Sequence, residues 1–402
     1  MSDLQGHLPG DPSFRRVSLA LFFAGFAMFV QLFDVQAVLP ELSAEFDASP
    51  ASAALTVAAG SVGIAVSVVP WATLSDRVGR VPVMKWAIMG SGILGLVSPL
   101  APTLELLVIS RFLIGLGLGA IVAVAMAYLA EEIHAPYVAS AASTFVAGNG
   151  FGALFGRIVA GLVTEWTTWR IGIGVLAVVA FALAIGFITI VPPSRRFSPR
   201  ERGTARELPR AFGRIFRDRG LVALLVSTFF LTAIVAIAYN YVGFRLLSPE
   251  FSVPPTLSVL VYAVFAIGSA TVYFVGRVVR RVGRVRILIG AYVAGASGAV
   301  VMNATHLVPL ILGLALVTMG AFTAQALLSG WVPQHARRDR ALSTATYQLA
   351  GQSGAALLGW GVGLLFGAMG WAGVTGAIVV AFLLALTLVV TVLREVERSD
   401  RT

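Results

Sequence analysis

The chain has 402 residues, of which 58% are hydrophobic and 12% charged, with a formal net charge of +10. A soluble domain of this size carries about twice that charged fraction, so an ordinary soluble fold is excluded. There is no cysteine, which excludes disulfides, thiol catalysis and cysteine-ligated metal.

The segment 1–16 is polar and leads into a long apolar stretch. A cleaved signal peptide has a shorter apolar core and a small-residue cleavage site, so the first run is expected to stay as a helix. Crossing a bilayer as a helix takes about 20 apolar residues. Twelve runs qualify, near 17–40, 52–73, 86–101, 106–130, 138–163, 170–191, 220–243, 257–276, 287–304, 308–330, 342–366 and 373–393. The third and ninth are short.

Charge orients them. Connections expected to share a face with the N-terminus hold 25 of the 29 Lys and Arg residues, including nine arginines between Arg195 and Arg219. The opposite loops carry Glu41, Glu45, Asp47, Glu105, Glu165 and Glu250, with Arg170 and Arg245 as cations. Positive residues stay cytoplasmic, so both termini are expected inside, and the +10 charge marks loops rather than a nucleic-acid partner. The reading is an all-α membrane protein: an N-terminal six-helix bundle over 1–191, a cytoplasmic linker over 192–219 and a C-terminal six-helix bundle over 220–402. A surface helix is expected around Leu208 to Arg217, within an arginine run able to touch anionic lipid headgroups.

The halves resemble each other. Arg77-Val78-Gly79-Arg80 recurs as Arg281-Val282-Gly283-Arg284, 204 residues later, and Gly148-Asn149 with Gly156 recurs as Gly351-Gln352 with Gly359, 203 residues later. Parallel repeats related by an axis along the membrane normal are one architecture of secondary transporters.

The segment Ala72-Thr73-Leu74-Ser75-Asp76-Arg77-Val78-Gly79-Arg80 closely resembles the loop 2–3 signature of the major facilitator superfamily, with Ala72 where that pattern has glycine. The resemblance implies the major facilitator fold: twelve transmembrane helices in two pseudo-symmetric bundles. It also implies a conformational latch of Asp76, Arg77, Gly79 and Arg80, with Asp76 at the N-terminus of span eleven, where the helix dipole favours an acid. Arg80 would pair with Glu131 or Glu132 at the end of span four. The second copy has Arg280 where the acid belongs, so the latch is expected from one half only.

Arg111-Phe112-Leu113-Ile114-Gly115-Leu116-Gly117 in span four is similar to the superfamily's intramembrane arginine motif. A charge inside a membrane helix costs about 3 kcal/mol on insertion scales and is usually functional or paired. Three lie well inside the spans: Asp34, Arg111 and Arg157. At 1.5 Å rise per residue each sits about 9–10 Å below its outer boundary, so all three share a level. Spans one and four are neighbours in the superfamily fold, which makes Asp34 and Arg111 a candidate proton-coupling pair. Burial would penalise the aspartate's charged form while the arginine would favour it.

Span five reads Gly148-Asn149-Gly150-Phe151-Gly152-Ala153-Leu154-Phe155-Gly156-Arg157-Ile158-Val159-Ala160-Gly161. Its glycine spacing resembles the antiporter motif of the drug:proton antiporter branch, in which small residues permit tight packing between the halves. Arg157 stands where that motif has proline, and the Gly-Arg pair is similar to a YnfM-like subgroup. Gln36, Asn149, Arg157, Asn240, Tyr241, Gln325 and Gln348 are candidates to line a substrate cavity. Each polar group among them can equally bond to a neighbouring helix, and Trp331, Tyr347 and Trp360 can equally anchor or pack.

The chain is thus expected to be a secondary active transporter of the bacterial inner membrane. It would export a small organic molecule in exchange for protons by alternating access, as a monomer in the lipid bilayer, without cofactor or metal. Two arginines against one aspartate favour neutral or anionic cargo. The alternative is an uptake symporter or facilitator for a small anion or sugar. No phosphate-binding loop precedes Lys85, the sole lysine, and no nucleophile, metal cluster or dinucleotide fingerprint suggests an enzyme.

Overall fold

The computed structural model describes residues 6–197, 208–251, 253–254, 259–336 and 340–396. Among them the regular structure is helical, apart from one isolated bridge between His7 and Ile133. In hydrocarbon every backbone polar group must be satisfied within the chain, and helices do this over each apolar run. Among the described residues, twelve helices are long and apolar enough to cross a membrane. Spans one to six run over Pro12–Phe33, Pro50–Val78, Arg80–Val97, Leu104–Glu132, Val138–Trp166 and Trp169–Ile190. Spans seven to twelve run over Arg219–Leu246, Val264–Val282, Arg284–Val301, Leu307–His335, Arg340–Met369 and Trp371–Leu388. Most extend past the predicted apolar cores into polar flanks, because capping continues the helix beyond the hydrocarbon: Thr103, Thr168 and Asp218 each accept a backbone N–H three residues on.

Span one departs from the continuous 17–40 helix expected. It ends at Phe33, passes through a 3-10 turn over Gln36–Val38, and restarts as a short helix, Leu39–Glu45. Discontinuous helices are tolerated at membrane depth only where the freed backbone groups find other partners.

Contacts divide the chain into two compact units. The first comprises Met1–Val38 and Ala59–Arg202; the second comprises Gly203–Thr402 together with Leu39–Ala58, the connection from span one into span two. In the first unit span five lies against span one through a stripe of glycines. A Cβ added at Gly148, Gly152 or Gly156 would meet the carbonyl oxygens of Phe22, Phe26 and Val30 at 2.4, 2.5 and 3.0 Å. The second unit repeats the device between spans eleven and seven, where a Cβ at Gly354 would meet the Phe229 carbonyl oxygen at 2.0 Å. Gly148, Gly152 and Gly156 of the antiporter-like stretch thus pack helices inside the first unit, as Gly354 does inside the second: close backbone approach supplies the dispersion contact that lipid-exposed apolar surface does not.

The two neighbours Gly148 and Gly150 separate this packing from helix propensity. Alanine at Gly150, which has open space beside it, should leave the melting temperature of the solubilised protein unchanged or slightly raised. Alanine at Gly148 should lower it, by overpacking of about 1–3 kcal/mol. Equal responses in a thermal-unfolding assay would contradict this packing.

Candidate functional site

The break in span one organises the first unit's charged side chains. In an uninterrupted helix the Val35 N–H would donate to the Gln31 carbonyl, four residues back. Instead it donates to Asp34 Oδ1 at 2.7 Å, while the Asp34 N–H keeps the helical bond to Val30 at 2.9 Å. The Gln31 carbonyl receives Arg111 Nη2, and Arg111 Nη1 lies 3.0 Å from Asp34 Oδ1. One guanidinium thus answers both the orphaned carbonyl and the carboxylate that displaced its donor. Asp34 and Arg111 are 4% and 2% exposed, so the pair is protected from solvent screening.

Arg157 closes the other side of the break. It is fully buried, donates from Nε to Gln36 Oε1 at 2.6 Å and from Nη1 to the Ala153 carbonyl at 2.8 Å, and lies 4.0 Å over the Phe33 ring. All three intramembrane charges therefore converge on residues 31–36. Gln31 itself is buried, and its side-chain amide has no hydrogen-bond partner among the described residues. Asn149 is half-buried, with its Oδ1 beside Gly25.

At the cytoplasmic-loop motif, Gly79 takes φ 108°, a conformation that side-chain-bearing residues rarely adopt. The tight turn brings Arg80 back onto Ser75 at 2.7 Å, Asp76 at 2.6 Å and Glu131 at 2.8 Å. Arg77 is exposed. Glu132, only 2% exposed, has a separate task that the sequence did not reveal. Its Oε1 accepts the backbone N–H groups of Arg195 and Arg196 at 2.8 and 3.2 Å, and Oε2 is 4.0 Å from His7 Nε2. Tyr128, one turn earlier, donates to the Pro192 carbonyl at 2.9 Å. Span four thus ends in two adjacent acids, one holding the loop 2–3 turn and the other holding the chain that leaves span six.

The second unit treats its equivalent positions differently. At the repeat spacing of 203–204 residues, Asp34 falls on Ile237–Ala238, Arg111 on Leu314–Ala315 and Arg157 on Trp360–Gly361. The loop turn is kept, with Gly283 at φ 91°, but Arg284 engages the neutral Gln334 and lies 5.5 Å over the Trp331 ring. Asn240 and Tyr241 are buried and donate to the Gly359 carbonyl of span eleven at 3.3 and 2.9 Å. Gln325 is half-buried, its carbonyl accepting Tyr347 at 3.3 Å, and Gln348 is exposed. Buried hydroxyls also meet in this unit: Tyr292 lies beside Ser227, and Tyr347 beside Thr228.

Glu132 offers a direct check on this description. Glu132→Ala should speed tryptic cleavage after Arg195 and Arg196, whereas Glu132→Gln, which keeps a carbonyl acceptor, should change it little. Equal cleavage rates in both variants and the wild type would show that the carboxylate does not hold this segment.

The profile of the family described as Major Facilitator Superfamily matches residues 17–359. The chain is 32% identical over 392 residues to the MFS-type transporter YybF of Bacillus subtilis (strain 168), a match covering 98% of this chain and 97% of that one. It is 32% identical over 377 residues to the inner membrane transport protein YnfM of Escherichia coli (strain K12), covering 94% and 90%. Among solved structures, the nucleoside transporter NupG aligns with a TM-score of 0.72 at 12% identity, covering 96% of this chain and 99% of that one. The human organic anion transporter MFSD10 aligns with a TM-score of 0.68 at 17% identity, covering 95% and 100%. The structural likeness is one of fold. With its twelve apolar helices, a family profile spanning most of its length and two relatives at 32% identity, the chain belongs to the major facilitator superfamily and is a multi-pass membrane transporter.

Proposed function

We propose that this transporter is a proton-coupled exporter of a small organic molecule, a member of the drug:proton antiporter-like branch working by alternating access. The inner membrane of a bacterium is its proposed site, with both termini in the cytoplasm. The observation that carries the coupling is the buried Asp34–Arg111 pair at the break in span one. Asp34 takes a proton from the outer side, which removes the charge that holds Arg111. It gives the proton up on the cytoplasmic side and the pair re-forms. Uncompensated charge in such surroundings costs about 3–5 kcal/mol, enough to bias the equilibrium between two conformations. Arg111 keeps its bond to the Gln31 carbonyl throughout, so it need not leave the break.

Asn149, Gln325 and Gln348, which are half-buried or exposed, are the proposed substrate-facing amides. Gln36 and Arg157 position the break, and Asn240 and Tyr241 brace span seven on span eleven. With two arginines against one aspartate, neutral or anionic cargo is favoured over cationic drugs. Asp76, Arg80 and Glu131 form the proposed latch, in which the turn is held to span four in one conformation.

In proteoliposomes, Asp34→Asn should abolish the response of transport to an imposed pH gradient while the protein still inserts and folds. Proton-driven transport at the wild-type level in this variant would reject the coupling. Direction is tested separately: cells lacking the transporter should accumulate more substrate, identified by a thermal-shift screen of metabolites and antibiotics at two pH values. Accumulation inside right-side-out vesicles would overturn export in favour of uptake.

A further inference from the structure

The ten-residue helix Leu208–Arg217 is not needed by the transport scheme, and its faces are chemically distinct. Ala211 and Ile215, 7% and 1% exposed, share one stripe and pack it onto the second unit. Arg210, Arg214 and Arg217 follow i, i+4, i+7 spacing on a second stripe, about 115° around the helix, and are exposed. Phe216 lies about 100° from both Ile215 and Arg217 on the helix circumference, on the flank between the two stripes. Its ring is 62% exposed and stacks on Phe212, with centroids 6.5 Å apart.

The depth of this helix is set by covalent connection. A single residue, Asp218, separates its last residue from the first residue of span seven, Arg219. Asp218 caps that corner: its Oδ1 accepts the Leu221 N–H at 3.0 Å and lies 3.2 Å from His335 Nε2. Arg210, Arg214 and Arg217 are exposed beside this corner. A membrane span begins where the short helix stops, so the short helix must lie in the interfacial layer rather than out in solution. At that depth an exposed phenyl ring meets acyl chains, and an arginine stripe meets phosphates. Interfacial helices combine these two features.

We infer that Leu208–Arg217 is a lipid-binding surface whose partner is the anionic headgroup layer of the bilayer, with Phe212 and Phe216 inserted and Arg210, Arg214 and Arg217 paired to lipid phosphates. The inference rests on the membrane assignment and is independent of transport direction and proton coupling. Because the chain has no cysteine, Phe216→Cys places a single thiol for a fluorescent label on the full-length protein in vesicles. Quenching by a shallow lipid-borne quencher should rise with the fraction of phosphatidylglycerol in phosphatidylcholine. Combining it with Arg210→Gln, Arg214→Gln and Arg217→Gln should remove that dependence, with preference for the anionic lipid falling about fivefold per arginine. The triple variant should keep the wild-type melting temperature in detergent, and Arg→Lys replacements at the three positions should restore the lipid dependence. A label quenched by aqueous iodide but not from the lipid would overturn the inference, because the helix would then face solution. A label shielded from both quenchers would also overturn it, because another protein segment or a second copy would then cover the face. Lipid dependence that survives loss of the three arginines would overturn their assignment.

Discussion

A single displaced hydrogen bond underlies the arrangement of the first unit. When the Val35 N–H turns to the Asp34 carboxylate, the Gln31 carbonyl loses its helical donor at membrane depth, where a freed backbone group needs another partner. Arg111 supplies the missing donor and the counter-charge in one group. Neither the break nor the two buried charges is tolerable alone. An interrupted helix without Arg111 leaves a naked carbonyl, and Arg111 without Asp34 leaves a naked cation. Together they form a neutral pair whose stability depends on the charge of one carboxylate, which is why the proposed proton switch is placed there.

The two units share a scaffold and differ in chemistry. Both pack a glycine-bearing helix onto the first helix of the unit, and both turn the loop after their second span through a glycine at positive φ. The first unit sets ion pairs at these positions, Asp34 with Arg111 at the break and Asp76 and Glu131 with Arg80 at the turn, whereas the second keeps the turn arginine, Arg284, and gives it the neutral Gln334. At the repeat spacing the second has aliphatic Ile237–Ala238 in place of Asp34, Arg280 in place of Asp76 and Gln334 in place of Glu131. Duplication preserved the packing because helix approach constrains both halves equally.

Much of this was legible in the sequence because the bilayer imposes simple rules. Twelve apolar runs read out as twelve helices, and counting residues from the ends of spans one, four and five put Asp34, Arg111 and Arg157 at one level, where the structure has them converge on residues 31–36. The helix break was partly legible. Pro40 has no N–H to give the Gln36 carbonyl, which stops a continuous helix from running through 36–40, but nothing local marks Asp34 as the acceptor of the Val35 N–H or Arg111, eighty residues beyond Gln31, as the donor to the Gln31 carbonyl. The division of work between Glu131 and Glu132 was likewise hidden, since two adjacent acids on one helix point about 100° apart and only tertiary neighbours decide which meets Arg80. Polar residues such as Asn240 and Tyr241 looked identical to cavity-lining groups because a carbonyl on span eleven and a substrate present the same acceptor.

The central claim is that the Asp34 carboxyl group exchanges Arg111 for a proton during transport. Infrared difference spectroscopy on the membrane-embedded protein, titrated across the pH range in which transport operates, observes that exchange directly. The account predicts a protonated-carboxyl band that appears as pH falls, disappears in Asp34→Asn and shifts when substrate is added, accompanied by a change in the guanidinium modes lost in Arg111→Gln. A carboxyl spectrum identical in wild type and Asp34→Asn, with substrate still transported over the same range, would contradict it.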